Sequence, residues 1–513
     1  MLLSWKCSKL RSLLLAFSIL SFFFWASLRL RAPGTAYLVT QLPFSPTDNS
    51  PTHHHGGSSS SSNTNNDNNN EPPPKTNIVY NLQGHQQFWR EFEPLLATHW
   101  PKCPPPIKLR DAPTVRFKPK EPDERPNVFA IPPPDKVKMK NAHADFVKSI
   151  SRKTPQLSYA SGTRGIVSTA GGSYLPVLVI SLRMLRKTGS TLPVEIFLSD
   201  DTEYEPYICD VVLPFLNAQC RMLYTVLDSG PIPSDIQKYQ FKPFAMLFSS
   251  FEQILFLDAD AFPLVDPNVL FTTEPFLSRP MVLWPDFWGS SVSPLYYEIA
   301  SRKAPPMNAR QSTESGEVVI SKKTHLKTLL LCAYYNYWGP THYYHLLSQG
   351  AAGEGDKETF AAASETVGEP FYQVSEPIRA LGHATEGGMA GSAMVQFDPA
   401  EDYNLTQRGE WRVSGSSKAP SPRPFFIHAN FPKFNPATVF TEQSVNPAFA
   451  DDGSFTRAWT IPEDTIPLLN DAEKEFWREI MWTACELEDK FNTWHGLQDI
   501  CSDVRVYWDN MFA

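Results

Sequence analysis

The stretch Gln253–Pro267, QILFLDADAFPLVDP, contains an apolar run that ends in two aspartates. Ile254–Leu257 is the apolar part, and Asp258 and Asp260 follow it with one alanine between them. A short continuous apolar run is typical of a strand covered on both faces, as in the parallel sheet of an α/β protein. Because alternate side chains of a strand point to the same face, the two carboxylates are expected to lie side by side.

Two neighbouring carboxylates at the end of a buried strand repel each other unless positive charge lies between them. Pro263 and Pro267 interrupt regular structure soon after them, which leaves both at the carboxyl end of the strand, where open α/β sheets bind ligands. A divalent cation bound between the two aspartates is one possible source of this positive charge. In the alternative, one aspartate caps a turn and the other is solvated. The repulsion also predicts that removing Asp260 leaves stability unchanged or raises it.

Composition narrows the class of protein. The chain has 513 residues, of which 42% are hydrophobic and 13% aromatic, which is enough for a large core. Its net charge of −8 argues against nucleic acid as a partner, since phosphate binding requires a basic surface. The sequence contains neither a dinucleotide fingerprint, nor a P-loop, nor a nucleophile elbow. It gives no indication of an oligomeric state.

The N-terminal segment Ser12–Leu28, SLLLAFSILSFFFWASL, has no charged residue over 17 positions. As a helix it would span roughly 25 Å, which suits the thinner bilayers of the early secretory pathway. Lys6, Lys9 and Arg11 precede it and favour a cytoplasmic N-terminus. A cleaved signal peptide is the alternative, because small residues lie near its end. We expect an uncleaved signal anchor and a single-pass type II membrane protein.

The remaining chain divides by composition. We expect a cytoplasmic tail (1–11), the transmembrane anchor (12–28), a disordered Ser/Asn-rich stalk (29–76), a Pro-rich stem (77–158), a compact α/β domain (159–440) and a helical extension packed on it (441–513).

Strands and helices alternate in the predicted α/β domain. The patterns predict a strand in Gly165–Gly172, a helix in Tyr174–Gly189, and strands in Pro193–Leu198, Arg221–Leu227 and Gln253–Leu257. A strand–helix–strand unit implies a right-handed parallel crossover. The expected fold is therefore a mixed, mostly parallel sheet flanked by helices.

The cysteines and one sequon fit a secretory compartment. Six cysteines follow the predicted anchor, an even number for an oxidising lumen. Proximity in sequence favours pairing Cys209 with Cys220 and Cys485 with Cys501. The sequon at Asn404 predicts N-glycosylation.

Four blocks occur in an order that resembles one family. Glu314–Lys322 (ESGEVVISK), Leu346–Phe360 (LLSQGAAGEGDKETF) and Pro424–Pro436 (PFFIHANFPKFNP) follow the Asp-x-Asp block. Together they are similar to glycosyltransferase family 71, the fungal Golgi α-mannosyltransferases that build branched mannan and outer chains. The resemblance implies a GT-A-like fold, GDP-mannose as donor, a mannose-containing glycan as acceptor, dependence on Mn²⁺ (or Mg²⁺), and retention of the α-configuration.

The candidate metal ligands are Asp258, Asp260 and His428. His428 ends the apolar run PFFI, so a strand could bring a neutral imidazole to the aspartates; a buried core histidine is the alternative. By similarity to related retaining enzymes, Lys433 could hold the diphosphate, unless it is a solvated loop lysine. Lys242 and Asp258 are candidates for binding the nucleotide.

The other candidate residues are predicted to bind the sugar donor or the glycan acceptor. Asp356 is the candidate carboxylate beside the transferred mannose, with Glu354 next to it, because nearby glycines let backbone approach a sugar. In the alternative, Asp356 caps a helix. Asp286, flanked by two tryptophans, could bind the acceptor or belong to a packed loop. The resemblance to the family covers roughly Thr163–Pro436. Arg164 and Ser315 lie in this region and are donor-binding candidates.

The expected function is therefore transfer of α-mannose from GDP-mannose to glycoprotein mannan in the Golgi lumen, with retention and α-1,2-linked branching. An α-1,3-mannosyltransferase of the same family and a non-catalytic, mannan-binding subunit are alternatives. A glycoside hydrolase with paired carboxylates would need neither nucleotide nor metal.

Deletion of residues 1–74 should leave a soluble, secreted enzyme with GDP-mannose turnover, because the anchor and stalk carry none of the candidate residues. Turnover by the secreted fragment is the measurement. A folded, secreted fragment without turnover would contradict the predicted division of the chain.

Overall fold

Two sheets organise the computed structural model of the chain, which describes residues 78–120, 124–232, 235–412, 417–441 and 445–513. The described strands are β1 (Ile107–Lys108), β2 (Phe129–Ala130), β3 (Ala160–Thr169), β4 (Val194–Leu198), β5 (Ala218–Met222), β6 (Phe251–Leu257), β7 (Ala261–Pro263), β8 (Met281–Gly289), β9 (Gln311–Ser321), β10 (Tyr372–Gln373), β11 (Arg379–Thr385), β12 (Gly388–Phe397) and β13 (Pro424–His428).

Thirteen α-helices lie in the described ranges. They are α1 (Leu82–Thr98), α2 (Pro133–Arg152), α3 (Leu175–Lys187), α4 (Leu213–Phe215), α5 (Tyr224–Leu227), α6 (Phe241–Phe248), α7 (Pro294–Ile299), α8 (Leu326–Tyr337), α9 (Tyr344–Leu347), α10 (Thr359–Val367), α11 (Pro399–Gln407), α12 (Ala472–Glu486) and α13 (Ile500–Met511). Within the described ranges, none has the length and apolar character needed to cross a membrane. The predicted anchor Ser12–Leu28, the tail and the stalk lie outside those ranges.

The larger sheet has seven strands in the order β10-β8-β9-β6-β3-β4-β5. Only β9 runs antiparallel to its neighbours; the β3–β4, β3–β6, β4–β5 and β8–β10 pairs are parallel. The predicted mixed, mostly parallel sheet is confirmed. Strand β6, which carries the two aspartates at its end, lies in the middle of this sheet.

Both faces of β6 are buried, as its apolar run predicts. Leu255 and Leu257 belong to the core on one face, where α3 and α12 pack. Ile254 and Phe256 belong to the core on the other face, with residues of α1, α2, α6 and α8. Successive side chains therefore alternate between two apolar cores, which fixes the position of the strand's carboxyl end.

Segments on both sides of the predicted catalytic domain contribute to these cores. Trp89 of α1 packs edge-on against Phe244 and Phe248 of α6, with ring centroids 5.7 and 5.9 Å apart. In α12, Phe476 stacks on Phe262 of β7 at 4.9 Å. The stem helix and the C-terminal extension thus pack directly against the elements that lead to the aspartates.

The third predicted strand is wrong in part. The strand is Ala218–Met222, and Tyr224–Leu227, which was included in the prediction, forms a helical turn. Val226 and Leu227 are buried in a core from this turn. A short apolar run has the same composition in a strand and in a buried helical turn, so periodicity could not separate them.

The second sheet is antiparallel, in the order β11-β12-β13-β7. Strand β7 begins immediately after Asp260, and its Ala261 lies opposite His428 of β13. The backbone N–H of Ala429 donates to the carbonyl of Asp260 at 2.9 Å. This register brings the end of PFFIH beside the Asp-x-Asp segment, although they are far apart in sequence.

Both predicted disulfides are present, Cys209–Cys220 and Cys485–Cys501. Cys103 and Cys332 are buried free thiols.

Cys209→Ser should lower the free energy of unfolding by about 3 kcal/mol, because the bridge closes a loop with a sequence separation of 11. Urea unfolding of the full chain measures this. The matched control Cys103→Ala removes a free thiol and should cost about 1 kcal/mol. Equal losses in the two variants would contradict a stabilising bridge.

Candidate functional site

Each of the two aspartates after β6 has its own basic partner. Lys242 Nζ lies 3.2 Å from Oδ1 of Asp258. Asp260 accepts a hydrogen bond from Nε2 of His428 at 3.0 Å and another from Nζ of Lys433. The like charges predicted from the sequence are therefore neutralised separately, by Lys242 from α6 and by two side chains of the block Pro424–Pro436.

A bulge in β9 completes the surroundings of these residues. Val318 pairs with Leu283 of β8, but the next pair is Glu314 with Trp284, so three residues of β9 bulge out. The Gly316 carbonyl in this bulge accepts from the backbone N–H of Asp258 at 2.8 Å. A bulge redirects side chains and carbonyls out of the strand's plane, and here it turns them toward the aspartates.

Lys242 connects the bulge to the glycine-rich loop, which is the segment Gly350–Gly355. Its Nζ donates to the Ser315 carbonyl at 2.6 Å and lies 3.1 Å from Oδ2 of Asp356. The Ser315 hydroxyl donates to the same Asp356 oxygen at 3.0 Å. The side chain of Asp356 thus faces Lys242 rather than capping α10, whose N-cap residue is Glu358.

The buried charges shift one another's pKa values. Burial alone would raise the pKa of Asp260, but His428 and Lys433 hold it well below its ordinary range. Burial raises the pKa of Asp258 despite Lys242 and His428, and the charge of Asp260 acts in the same direction as burial. Burial would lower the pKa of Lys242, but Asp258 and Asp356 raise it well above its ordinary value. Of the two aspartates, Asp258 is therefore the one whose negative charge is less compensated.

Two of these side chains reach the surface. The side chain of Asp258 is 31% exposed and that of Lys433 is 36% exposed, whereas Asp260 and His428 are buried. A ligand arriving from solvent would therefore meet Asp258 and Lys433 first.

The predicted metal ligands are brought together. One ligand atom each from Asp258, Asp260 and His428 lie within 4.8 Å of one another. Glu314, Glu317 and His428 form a second such group among the described residues. Two carboxylates and an imidazole form a donor set that suits Mn²⁺, and carboxylates suit Mg²⁺.

Three other predicted residues have partners or positions outside the group formed by Asp258, Asp260 and His428. Asp286 forms a buried ion pair with Lys357 at 2.7 Å, so its carboxylate is already bound. Glu354 is on the surface, and its Oε1 lies 3.6 Å from Nδ1 of His345. The exposed side chain of Asn404 lies on α11 and is accessible to glycosylation.

The structure does not bring Arg164 to this site. Its Nε donates to Oε1 of Gln253 at 2.9 Å, near the start of β6. Arg164 precedes Thr169, the last residue of β3, by five residues, or roughly 17 Å of extended strand. Its membership of the matching region said nothing about which end of the strand it occupies.

Sequence reasoning missed Glu314. Its Oε1 accepts from Nδ1 of His428 at 3.0 Å and from the backbone N–H of Gly316 at 2.7 Å. The available signal was a glycine inside a strand-like block, since such a glycine often marks a bulge or a close approach. A Cβ on Gly316 would lie 2.5 Å from Cε1 of His428.

Comparison with known proteins identifies the family. Residues 163–312 and 306–398 match the family model described as "Mannosyltransferase putative". The chain is 35% identical over 368 residues to alpha-1,2-mannosyltransferase MNN21 of Candida albicans, covering 60% of this chain and 56% of that protein. It is 30% identical over 422 residues to alpha-1,2-mannosyltransferase MNN5 of Saccharomyces cerevisiae, covering 66% and 71%. The chain belongs to this family of fungal α-1,2-mannosyltransferases. It spans slightly more than half the length of the Candida relative.

Among solved structures, the chain has a low similarity to the galactosyltransferase LgtC in complex with donor and acceptor sugar analogs. The match covers 60% of this chain and 95% of that one, with 11% identity and a TM-score of 0.32. A TM-score this low assigns neither a fold nor a function.

Gly316→Ala should displace the His428 ring, because the new Cβ would also lie 2.6 Å from Oε1 of Glu314. We expect Mn²⁺ binding to weaken about 10- to 100-fold, measured from the free-Mn²⁺ signal in electron paramagnetic resonance. The matched control is Gly391→Ala, where the nearest atom, Cε of Met389, is 3.5 Å from the new Cβ. Equal Mn²⁺ affinity in the two variants would show that the close contact at Gly316 is unimportant.

Proposed function

We propose that the protein is a metal-dependent, retaining α-mannosyltransferase with a GT-A-like fold. It moves α-mannose from GDP-mannose to mannose residues of glycoprotein mannan, forming α-1,2-linked branches. The carrying observation is the convergence of Asp258, Asp260 and His428 within 4.8 Å. The names of the fungal relatives support mannose as the transferred sugar and the α-1,2 linkage. The proposal includes a single-pass type II anchor and a catalytic domain in the Golgi lumen.

The residues present fit a divalent cation. Burial raises the pKa of Asp258, so its negative charge is disfavoured in the metal-free protein, and its partly exposed side chain can meet an incoming cation that would stabilise that charge. Asp258, Asp260 and His428 would hold Mn²⁺ or Mg²⁺, with the remaining positions open to phosphate oxygens and water. When bound, the cation supplies positive charge against the diphosphate that departs from mannose.

Lys433 is placed to bind the same diphosphate. Its ammonium group contacts Asp260, and its side chain is 36% exposed, so it can reach a phosphate that arrives from solvent. An ammonium there adds a second positive charge where negative charge develops on the leaving group.

Asp356 is positioned for the transferred sugar. Lys242 and the Ser315 hydroxyl hold its Oδ2 at 3.1 and 3.0 Å, next to the segment Gly353–Gly355. A carboxylate fixed in this way can orient a mannose hydroxyl or stabilise positive charge at the anomeric carbon. Lys242 also holds Asp258, so one buried ammonium sets the distance between the metal-binding and sugar-binding carboxylates.

The function is tested with the full chain, GDP-mannose and an α-mannoside acceptor, with Mn²⁺ or EDTA. We expect GDP release that requires both acceptor and Mn²⁺, and an α-1,2-linked product by linkage analysis. An α-1,3-linked product would correct the linkage only. Mannan binding without GDP release would indicate a non-catalytic subunit, and release of mannose without nucleotide would indicate a hydrolase.

Asp260→Asn should lower turnover about a thousandfold or more, because the amide keeps the shape but loses the charge that holds the cation. The sequence predicted that removing Asp260 leaves stability unchanged or raises it, whereas the contacts of Asp260 predict a loss of stability. Asp260 accepts from both His428 and Lys433, so the variant should lose about 1–3 kcal/mol of unfolding free energy in the absence of metal.

Initial rates with saturating Mn²⁺ and urea unfolding in EDTA measure these two effects. The control is Asp489→Asn, whose exposed carboxylate contacts only Lys490 among the described partners. Wild-type turnover with wild-type metal dependence in Asp260→Asn would make Asp260 a turn residue.

A further inference from the structure

His428 lies between two carboxylates that contact different ring nitrogens. Nε2 faces Oδ1 of Asp260 at 3.0 Å, and Nδ1 faces Oε1 of Glu314 at 3.0 Å. A cation held with Asp258 and Asp260 can therefore use only Nε2. An imidazole nitrogen binds a metal through its lone pair, so the ring proton must then be on Nδ1.

Glu314 is held firmly in place as the partner of Nδ1. It is buried, and the same Oε1 that faces His428 accepts from the Gly316 N–H at 2.7 Å. The absence of a Cβ on Gly316 leaves room for the ring and the carboxylate to meet. The bulge in β9 thus provides a fixed acceptor on the side of the ring that faces away from Asp260.

We propose that Glu314 is a positioning residue for His428. It accepts the hydrogen bond from Nδ1–H, which fixes the ring orientation and keeps the lone pair of Nε2 directed toward the metal position. The inference rests on the proposed function, because it assigns the cation to Asp258, Asp260 and His428. Without this acceptor, the Nε2–H tautomer and a flipped ring compete, and neither presents Nε2 to the cation.

The same residues allow a different arrangement, which the test must separate. One atom each of Glu314, Glu317 and His428 lie within 4.8 Å of one another, so a cation could instead bind there through Nδ1. In that case Glu314 and Glu317 would both be ligands. If Glu314 only positions His428, neither glutamate is a ligand of the cation.

The test uses the full-length protein with Mn²⁺ alone as the probe. Affinity is measured from the free-Mn²⁺ resonance, and coordination of imidazole is detected by electron spin-echo modulation from the histidine nitrogen, assigned with His428→Ala. We expect Glu314→Ala to weaken Mn²⁺ binding about 10- to 100-fold and to lose the nitrogen modulation. Glu314→Gln should restore both, because the amide oxygen can still accept from Nδ1–H.

Glu205→Gln controls for burial, because it changes a buried glutamate whose Oε2 accepts from the Asn492 N–H, away from the site. It should bind Mn²⁺ as wild type does. Glu317→Gln separates the two arrangements, and it should lose less affinity than Glu314→Ala if Glu314 only positions His428. If Glu314→Ala does not fold, Glu314→Met takes its place, since it fills the space without offering an oxygen.

If the folded Glu314→Ala or Glu314→Met variant keeps the wild-type Mn²⁺ affinity and the nitrogen modulation, the positioning role is overturned. An equal loss in Glu317→Gln and Glu314→Gln would also overturn it, in favour of a cation bound by both glutamates. Failure of the proposed metal site is recognised separately, because wild-type protein would then show no nitrogen modulation from His428. Failure of the proposed activity is recognised by the absence of GDP release from wild-type protein.

Discussion

The buried ammonium of Lys242 holds the site together. It lies within 3.2 Å of both Asp258 and Asp356 and donates to the Ser315 carbonyl at 2.6 Å. These groups come from the end of β6, the glycine-rich loop and the bulge in β9. Strand pairing also joins β6 to β9, and the Ser315 hydroxyl also joins the bulge to Asp356. Removing one partner from a buried charge network leaves an uncompensated charge, at a cost of about 3–5 kcal/mol. Lys242 therefore adds a buried charge that contacts all three segments at once.

The repulsion between neighbouring aspartates is resolved unequally. Asp260 faces two cationic partners and is buried, so His428 and Lys433 hold its pKa low. Asp258 shares Lys242 with Asp356, and burial keeps its pKa raised. A single cation between the aspartates, as expected from the sequence, is therefore only part of the arrangement. The protein neutralises Asp260 itself and leaves Asp258 less compensated and partly exposed, where an added cation can reach it.

The sequence correctly predicted those strands, helices and disulfides that depend only on residues close together in the chain. The apolar run before Asp258 predicted a strand buried on both faces, helical spacing predicted α3 and α12, and proximity in sequence predicted both disulfides. The run PFFI likewise predicted the strand that ends at His428. Each of these features is set by residues close together in the chain.

Features that depend on register between distant strands were not predictable. The role of Glu314 follows from a bulge that exists only because β9 pairs with β8 on both sides of it. Arg164 was assigned from its place in a matching region, but a strand has two ends, and sequence similarity does not say which one binds a ligand. The turn at Tyr224–Leu227 shows the same limit for short apolar runs.

The site has a buried inner part and an exposed rim, and this division explains how it can bind a charged ligand. Glu314, His428 and Asp260 form an inner chain of hydrogen bonds, each about 3.0 Å long. Groups already fixed by protein contacts need little reorganisation when charge develops nearby, which is the basis of electrostatic preorganisation. Asp258 and Lys433 remain partly exposed, so a ligand can arrive at the rim while the contact between Glu314 and His428 stays in place. The β7–β13 pairing that joins Asp260 to His428 is thus as important to the site as the aspartates themselves.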